Sequence, residues 1–485
     1  MLSVVGSGNM DSSAAFGYGR VQAVLDKAFG LKAHPINMKA PLGKEVIFII
    51  ESDISVTHPV YGLNILQAKR EGSHLIVADS RETKLTRHSS SHLKMAQGTS
   101  VALLNGLMKV IIDRNLFNRA TVSKIPGFSD FEKALTDYTP ENVSKITGIP
   151  HEELVTTAER LAAAKSRMLS FTVGLSENTK GADTVAAAAN LVILLGEETD
   201  ALQIPAEYAN TFGLHKMGVR PGGGTATGKN VFDMLYEPGS LRALYIMGED
   251  PVSAFPNSSK IIGTLKSLEF VVVQDIAMTE SAKFAHVVLP ASSWAEKEGT
   301  FINAEGITQK LQKIVATSGQ SMPDWQILRN LSLSMGKEIV FRSIDDVSAD
   351  IKNEPQEPAA AADKRTFQPV SYTPGEDTDD EYPLHLVTRD VLQHSGTMST
   401  RSKALDLVVS EAFLEVNEEE AGKYGLTDNS HVKVSSRRGA VYLKAKITDT
   451  VPSGTVFASM HFPHGRVNAL TYPSADGTPF RDAVK

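Results

Sequence analysis

Four short apolar runs, each leading into polar or acidic residues, constrain this chain more than any other feature. They are Glu45–Ile50 (EVIFII), Leu75–Asp79 (LIVAD), Leu244–Met247 (LYIM) and Phe270–Val273 (FVVV). Runs of this length without alternation read as strands buried on both faces, the pattern of parallel sheets. Parallel neighbours need a crossover, and the segments between them supply it. Gly62–Arg70 and Ser100–Ile112 (SVALLNGLMKVII) carry helical spacing. Strand, helix, strand at this pitch predicts βαβ units with right-handed crossovers. Thr139-Pro140-Glu141 predicts a helix start, with a capping threonine and a proline at the first helical position. That helix is expected to end at Gly148, and a second to run from Pro150 to about Ala164. Asp183–Leu195 (DTVAAAANLVILL) is almost wholly apolar, which predicts a buried helix.

A chain of 485 residues corresponds to about three domains of roughly 150 residues each. Asn353–Tyr382 is rich in proline, alanine and charge and reads as a linker. Beyond it, Leu384–Thr388, His431–Ser435, Ala440–Ile447 and Thr455–Met460 read as strands, with Arg438-Gly439 as a hairpin signal. The expected organisation has residues 1–40 in a second α/β domain and residues 41–218 as a first, Rossmann-like domain. Residues 219–345 continue the second domain, 346–383 connect, and 384–485 form a C-terminal β-barrel. The expected fold class is α/β, with two parallel-sheet domains and one barrel.

Composition removes several functions. A net charge of −7 argues against a nucleic-acid partner, whose phosphates demand a basic face. No run approaches the roughly 18 apolar residues of a membrane span, and MLSVVGSGNMDSS has neither the basic nor the long apolar part of a signal peptide. There is no cysteine, so neither a disulfide nor a thiolate ligand for a metal or iron–sulfur cluster can come from this chain. The histidines show no His-Glu-x-x-His or comparable metal spacing, and no nucleophile elbow occurs. His58, His92, His286 and His461 fall at strand or loop ends and read as structural. Pro221–Asn230 (PGGGTATGKN) approaches a P-loop, but Asn230 stands where the magnesium-binding hydroxyl belongs, and no strand precedes it. A surface loop is the better reading.

The candidate ligand-binding groups lie at strand ends, where open α/β sheets bind their ligands. Met247–Pro251 (MGEDP) offers Gly248 for close backbone approach, and Glu249 and Asp250 as acceptors. Gln274 and Asp275 repeat the pattern on the next strand. Asp79 and the Gln97-Gly98-Thr99 turn do so in the first α/β stretch. In the C-terminal part, His394-Ser395-Gly396-Thr397-Met398-Ser399 presents hydroxyls and backbone N–H groups suited to phosphate or pterin. Arg437 and Arg438 match a pyrophosphate bidentately, with an exposed hairpin tip as the plain alternative.

These pieces fall in an order that resembles the molybdopterin oxidoreductases. Phe270–Gln309 (FVVVQDIAMTESAKFAHVVLPASSWAEKEGTFINAEGITQ) looks like their signature stretch, and Val46–Leu63 like their first strand and loop. Asp79–Leu107 is similar to an arginine-rich turn followed by Pro-Gly-Thr-Asp and a helix. Asn210–Pro221 resembles the segment near the pterin, and MGEDP stands for Gly-Glu-Asn-Pro. His394–Lys403 and Val434–Val441 resemble the cap over molybdopterin guanine dinucleotide. The early and C-terminal segments look like formate dehydrogenase α subunits. Gly174–Gly181, Ala206–Gly218 and Lys297–Gly306 look more like the large subunit of respiratory complex I.

Departures from that pattern shape the expectation. Family members open with a cysteine-bearing cluster domain and a metal ligand, whereas this chain opens at Met1–Ser13 without cysteine. Ser100 stands where aspartate follows Gly-Thr, and Glu51 where glycine is expected. The resemblance therefore implies dinucleotide pockets partly retained and partly eroded, built from Asp79, Gly98, Thr99, Gly248–Asp250, Gln274, Asp275, His394–Thr397, Ser399 and Arg438. It implies no catalytic residue and no metal ligand on this chain. The first expectation is a complex I–type scaffold subunit, without its own iron–sulfur cluster, working with partners that carry clusters, flavin or quinone sites. It would be cytoplasmic, or peripheral on the inner membrane face through those partners. The rival is the C-terminal portion of a formate dehydrogenase α subunit holding the guanine dinucleotide and completed by an upstream polypeptide.

Overall fold

The computed structural model describes residues 5–31, 33–172, 181–222, 227–237, 239–337, 339–353, 364–472 and 482–484. Positions 174–180 of the Gly174–Gly181 segment, the centre of the glycine-rich loop (223–226) and residues 354–363 of the proline-rich stretch lie outside them. The chain divides into two compact units. One comprises Met1–Phe16 and Tyr208–Ala359, the other Gly17–Glu207 and Ala360–Lys485.

The larger unit holds a five-stranded sheet in the order β3-β2-β1-β4-β5, formed by β1 (Val46–Ile50), β2 (His74–Asp79), β3 (Ser91–Lys94), β4 (Arg167–Ser170) and β5 (Leu202–Gln203). Every pairing is parallel. The order reverses beside β1, as in a doubly wound fold, so the crevice at that strand's carboxyl end is the expected ligand position. All five residues of β1 are buried, as a strand covered on both faces requires. Helices α1 (Tyr18–Phe29), α2 (Pro59–Arg70), α3 (Ser100–Asp113), α4 (Pro140–Thr147), α5 (His151–Ala163) and α6 (Gly181–Leu194) complete the layers. Thr139 caps α4 by accepting from the Asn142 N–H at 3.3 Å, and Gly148 ends it with a left-handed φ of 77°, as the sequence predicts. Gly106 on α3 lets α4 approach closely, since a Cβ there would lie 2.7 Å from Val143 Cγ2. Residues 17–40, expected in the other α/β domain, belong here. The apolar face of α1 (Val21, Val24, Leu25, Ala28, Phe29) joins the core that contains α6.

The smaller unit carries a parallel sheet β6-β7-β8, made of β6 (Ala243–Met247), β7 (Phe270–Asp275) and β8 (Val287–Pro290). A hairpin of β9 (Gly299–Ile302) and β10 (Thr308–Leu311) follows. Helix α7 (Ser258–Ser267) contributes Ile261 and Leu265 to a core with Ile246, Val271, Val273 and Phe255. The N-terminal residues are stitched to this unit. Asn9 and Asp11 carboxamide and carboxylate oxygens accept the N–H groups of Lys229 and Val231, each at 2.9 Å.

The C-terminal residues form a six-stranded mixed sheet in the order β13-β14-β12-β15-β11-β16. Its strands are β11 (Leu384–Arg389), β12 (Phe413–Val416), β13 (His431–Ser435), β14 (Ala440–Ile447), β15 (Thr455–Ser459) and β16 (Asp482–Val484). An antiparallel bridge between Ser436 and Val484 joins the two edges, which closes the sheet into a barrel. Along β13 and β14 the buried residues alternate, and Val432, Val434, Val441, Leu443 and Ala445 fill the interior. The barrel docks on the five-stranded sheet through Arg81, whose guanidinium pairs with Glu415 and lies 4.4 Å from the Phe457 ring centroid.

Residues 364–383 have no regular elements, yet they are held fast. Phe367 is buried and stacks on Phe131 with centroids 4.4 Å apart. Gln368 exchanges two hydrogen bonds with Asn190, and the Tyr372 N–H donates to the Tyr138 hydroxyl at 2.7 Å. Composition predicts a linker, but one phenylalanine and a few backbone contacts suffice to anchor it.

Candidate functional site

At the carboxyl ends of β6 and β7 the sheet brings together the five residues expected there. Gly248 takes a left-handed φ of 62° that favours glycine, and its N–H donates to the Gln274 carbonyl at 2.9 Å. The Asp250 carboxylate is already committed. It accepts from the Ser281 hydroxyl (2.6 Å), the Ser281 N–H (2.8 Å), the Ser253 hydroxyl (2.7 Å) and the Glu280 N–H (3.2 Å). Four donors on one buried carboxylate make it a clamp between the β6 and β7 loops. Gln274 is likewise internal, donating to Asp324 Oδ1 at 2.7 Å and accepting from the Tyr245 hydroxyl. Of the other three, Gly248 is exposed, while Glu249 and Asp275 are half-buried with their carboxylates accepting neighbouring N–H groups. Burial raises the Glu249 carboxyl above its usual range, against the opposing hydrogen bond from Ser13. Asp275 is half-buried, and its Oδ1 accepts the Ile276 N–H at 2.7 Å.

In the larger unit, Asp79 ends β2 fully buried, with Oδ1 accepting the Arg81 N–H at 3.0 Å in an Asx-type turn. Gly98 and Thr99 lead into α3. The Gly98 N–H donates to Glu51 Oε1 at 2.7 Å, and the Ser100 hydroxyl donates to Glu51 Oε2. Thr99 turns its hydroxyl back to the Ala96 carbonyl at 2.6 Å. Glu51 is 4% exposed and holds a φ of 38°, an uncommon conformation for a residue with a Cβ. Its carboxylate thus sits at the end of β1, where the crevice would receive a ligand anion. The two departures noted in the sequence form one contact: the carboxylate absent at position 100 arrives from position 51.

The His394–Ser399 loop is ordered by its own hydroxyls. His394 is buried, with Nε2 at 2.8 Å from the Val409 carbonyl and Nδ1 at 3.2 Å from Ser399 Oγ. Ser399 Oγ also accepts the Ser395 N–H at 2.8 Å, and Gly396 takes a φ of 58°. Ser395 and Gly396 remain exposed and Thr397 half-buried. Behind the loop lies His461, whose Nε2 accepts the Val391 N–H at 3.0 Å. That lone pair is therefore used, so the 3.3 Å contact with Asp390 is not an ion pair. Burial lowers the His461 pKa more than Asp390 raises it, which keeps the ring neutral. His58 follows the same logic, with burial outweighing the Ala206 carbonyl 3.0 Å from Nε2.

Arg438, expected to face a pyrophosphate, instead grips Glu376. Its Nη1 and Nη2 donate at 2.7 and 3.1 Å, while Arg437 Nη1 donates to Glu376 Oε1 at 2.7 Å. Arg437 also pairs with Asp379, whose carboxyl the Tyr382 N–H, with Arg437, holds below the usual range. Sequence reading missed Glu51, Glu376 and Asp379 as partners. The signal was charge complementarity between the acidic 376–381 stretch and the two arginines. It also missed Glu207, which burial pushes up to about 7 and whose Oε2 is buried without a hydrogen-bond partner.

Taken unit by unit, the residues fit a phosphate-bearing pterin in part. Gly248 in one unit and Ser395 and Gly396 in the other offer exposed backbone, whereas the Asp250, Gln274 and Arg438 side chains are engaged internally. Among the described residues no group of three or more His, Asp or Glu is arranged to hold a metal. No helix among them is long and apolar enough to cross a membrane.

Comparison with known proteins agrees with this geometry. The family model for molybdopterin oxidoreductase matches residues 42–333, and that for the molydopterin dinucleotide binding domain matches residues 384–483. F420-dependent formate dehydrogenase 1 subunit alpha of Methanococcus maripaludis is 30% identical, over 98% of this chain and 80% of that protein. The NADPH-Fe(3+) oxidoreductase subunit alpha of Geobacter sulfurreducens is 31% identical, over 98% of this chain and 60% of its own. The solved structure of acetylene hydratase from Pelobacter acetylenicus superposes with a TM-score of 0.83 at 17% identity, over all of this chain and 83% of that one. The last establishes the fold alone. With a family model spanning more than half of the sequence, the chain belongs to the molybdopterin oxidoreductases.

Proposed function

We propose that the chain is the cofactor-holding part of an oxidoreductase α subunit of the formate dehydrogenase type. The single observation that carries this reading is the pair of polar rims at sheet ends. Gly248, Glu249 and Asp275 lie at strand ends of one unit and the His394–Ser399 loop, ordered by its own hydroxyls, lies in the other, with Gly248, Ser395 and Gly396 exposed. The similarity to α subunits of formate dehydrogenases supports it. In this reading each unit supplies its own contacts to molybdopterin guanine dinucleotide, Gly248, Glu249 and Asp275 in one, and Asp79, Gly98, Thr99 and the His394–Ser399 loop in the other. When bound, the metal–pterin group supplies two-electron exchange, and the protein supplies binding, orientation and exclusion of water. Electrons leave through partner subunits bearing iron–sulfur clusters, flavin or quinone sites, with the assembly cytoplasmic or peripheral on the inner membrane face.

A second reading keeps the fold but not the cofactor, as a complex I–type scaffold. The Glu51 carboxylate at the end of β1 favours it, because that group holds the Gly98 amide and repels a phosphate. Native purification, followed by molybdenum, tungsten and pterin content and formate-dependent dye reduction, separates the two. Near-stoichiometric metal and pterin with formate oxidation supports the first. A folded complex that transfers electrons while free of both supports the second.

A further inference from the structure

In the larger unit, the carboxyl ends of four strands each deliver a titratable side chain to one region. His58 lies in the loop between β1 and α2, Glu207 follows β5, Asp390 follows β11 and His461 follows β15. Asp390 acts electrostatically on the other three, which places it among them. Asp390 is exposed, whereas His461 is buried.

Glu207 is the member whose hydrogen bonding is incomplete. The residue is half-buried, yet its Oε2 is enclosed and has no hydrogen-bond partner. Its carboxyl takes its own N–H and that of Tyr18 at the start of α1. A buried, ionised carboxylate ordinarily collects donors on both oxygens, as Asp250 does. A bare oxygen suits the protonated form, which places a hydrogen there. Burial, joined by the like charge of Asp390, outweighs the two N–H groups and holds this carboxyl at about 7.

The histidines packed around it, the usual buffers at that pH, are already committed. His34 Nε2 lies 2.6 Å from the Leu202 carbonyl, His58 Nε2 lies 3.0 Å from the Ala206 carbonyl, and His461 Nε2 accepts the Val391 N–H. Burial lowers all three, so their rings stay neutral where Glu207 titrates. The Tyr18 phenol donates to Gln22 Oε1 at 2.9 Å and accepts the His34 N–H at 2.9 Å, and burial keeps it protonated.

We propose that Glu207 is an internal proton-holding group of the larger unit and that its proton exchanges with solvent through Asp390. Its use in turnover rests on the proposed function. Oxidation of formate to carbon dioxide releases one proton with each pair of electrons. The electrons leave to the redox partners, and the Glu207 carboxylate takes the proton as an O–H bond at Oε2. That bond breaks when Asp390 accepts the proton and passes it to water.

Infrared spectroscopy of the full chain, free of cofactor and carrying isotope-labelled glutamate carboxyls, reads the group directly. A protonated-carboxyl band is expected to persist up to about pH 7 and vanish above it. Glu207→Gln is expected to remove the band in a chain that still melts cooperatively. Asp390→Asn deletes a like charge, so the midpoint of the band is expected to move to lower pH and its exchange in D2O to slow severalfold. Asp390 is exposed, so this variant tests the exit even where Glu207→Gln fails to fold. A band insensitive to Glu207→Gln, or exchange as fast in Asp390→Asn as in the unaltered chain, overturns the proposal. In the native complex, Glu207→Gln is expected to slow formate-dependent dye reduction and to remove the limb of its pH profile near neutrality. An unchanged rate and profile overturns the role in turnover. A native complex that does not oxidise formate, built from a chain that keeps the infrared titration and its dependence on Asp390, refutes the proposed function and leaves the proton site standing.

Discussion

Asp250 separates a structural from a ligand role most sharply. Its carboxylate is 5% exposed and takes two backbone N–H groups and two hydroxyls, all from Ser253, Glu280 and Ser281. In Asp250→Ala the two hydroxyls can rotate to new partners, but the Ser281 N–H is orphaned in a fully buried position. Hydrogen bonds to a charged group contribute about 1.5–3 kcal/mol each, and an unsatisfied buried donor costs about 1–3 kcal/mol. Counting the two backbone bonds in full and the hydroxyls at little, the loss is about 3–6 kcal/mol. For a unit of this size that lowers the midpoint by about 6–24 °C. Asp250→Asn keeps one acceptor and turns an amide donor toward an N–H, so it should lose about half as much. Calorimetry on the cofactor-free chain, with hydrogen exchange at Ser281, measures both. If Asp250→Ala shifts the midpoint by under about 2 °C while a cofactor-loaded form loses its pterin, the clamp reading is wrong and Asp250 is a ligand contact.

Further outcomes follow from individual contacts. Gly106→Val places carbons within the 2.7 Å Cβ approach to Val143, and denaturant unfolding should show a loss of about 1–3 kcal/mol from overpacking. Arg81→Ala strips a buried Glu415 of one of its two cations, with Lys446 remaining at 3.0 Å. It also removes the stacking on Phe457, so urea denaturation should register a loss of about 2 kcal/mol. Glu207 is protonated in the folded chain up to about pH 7 and ionises near the ordinary carboxylate value when unfolded. The folded state then holds more protons between these limits, so stability is full below the unfolded pKa and declines as pH rises towards 7, by at most about 3 kcal/mol. Glu207→Gln should flatten that slope in melting points taken from pH 4.5 to 8, and an unchanged slope would place the titrating group elsewhere.

How far the sequence was sufficient depended on the range of the interactions involved. The runs EVIFII, LIVAD and FVVV became β1, β2 and β7 because burial on both faces leaves no other use for them. Thr139, Pro140 and Gly148 placed α4 through local capping and backbone preference alone. The order of motifs was likewise enough to identify the family and to mark the strand ends as candidate ligand positions. Pairing across long separations was not readable. Glu51 meets Gly98 and Ser100 from 47 and 49 residues away, Asp250 meets Ser281 across 31, and Glu376 meets Arg438 across 62. A carboxylate at a strand end has the same sequence appearance whether it awaits a ligand or already holds a neighbour's N–H. Only the tertiary structure decides between these, because a buried charge must be satisfied by whatever the fold brings within about 3 Å of it.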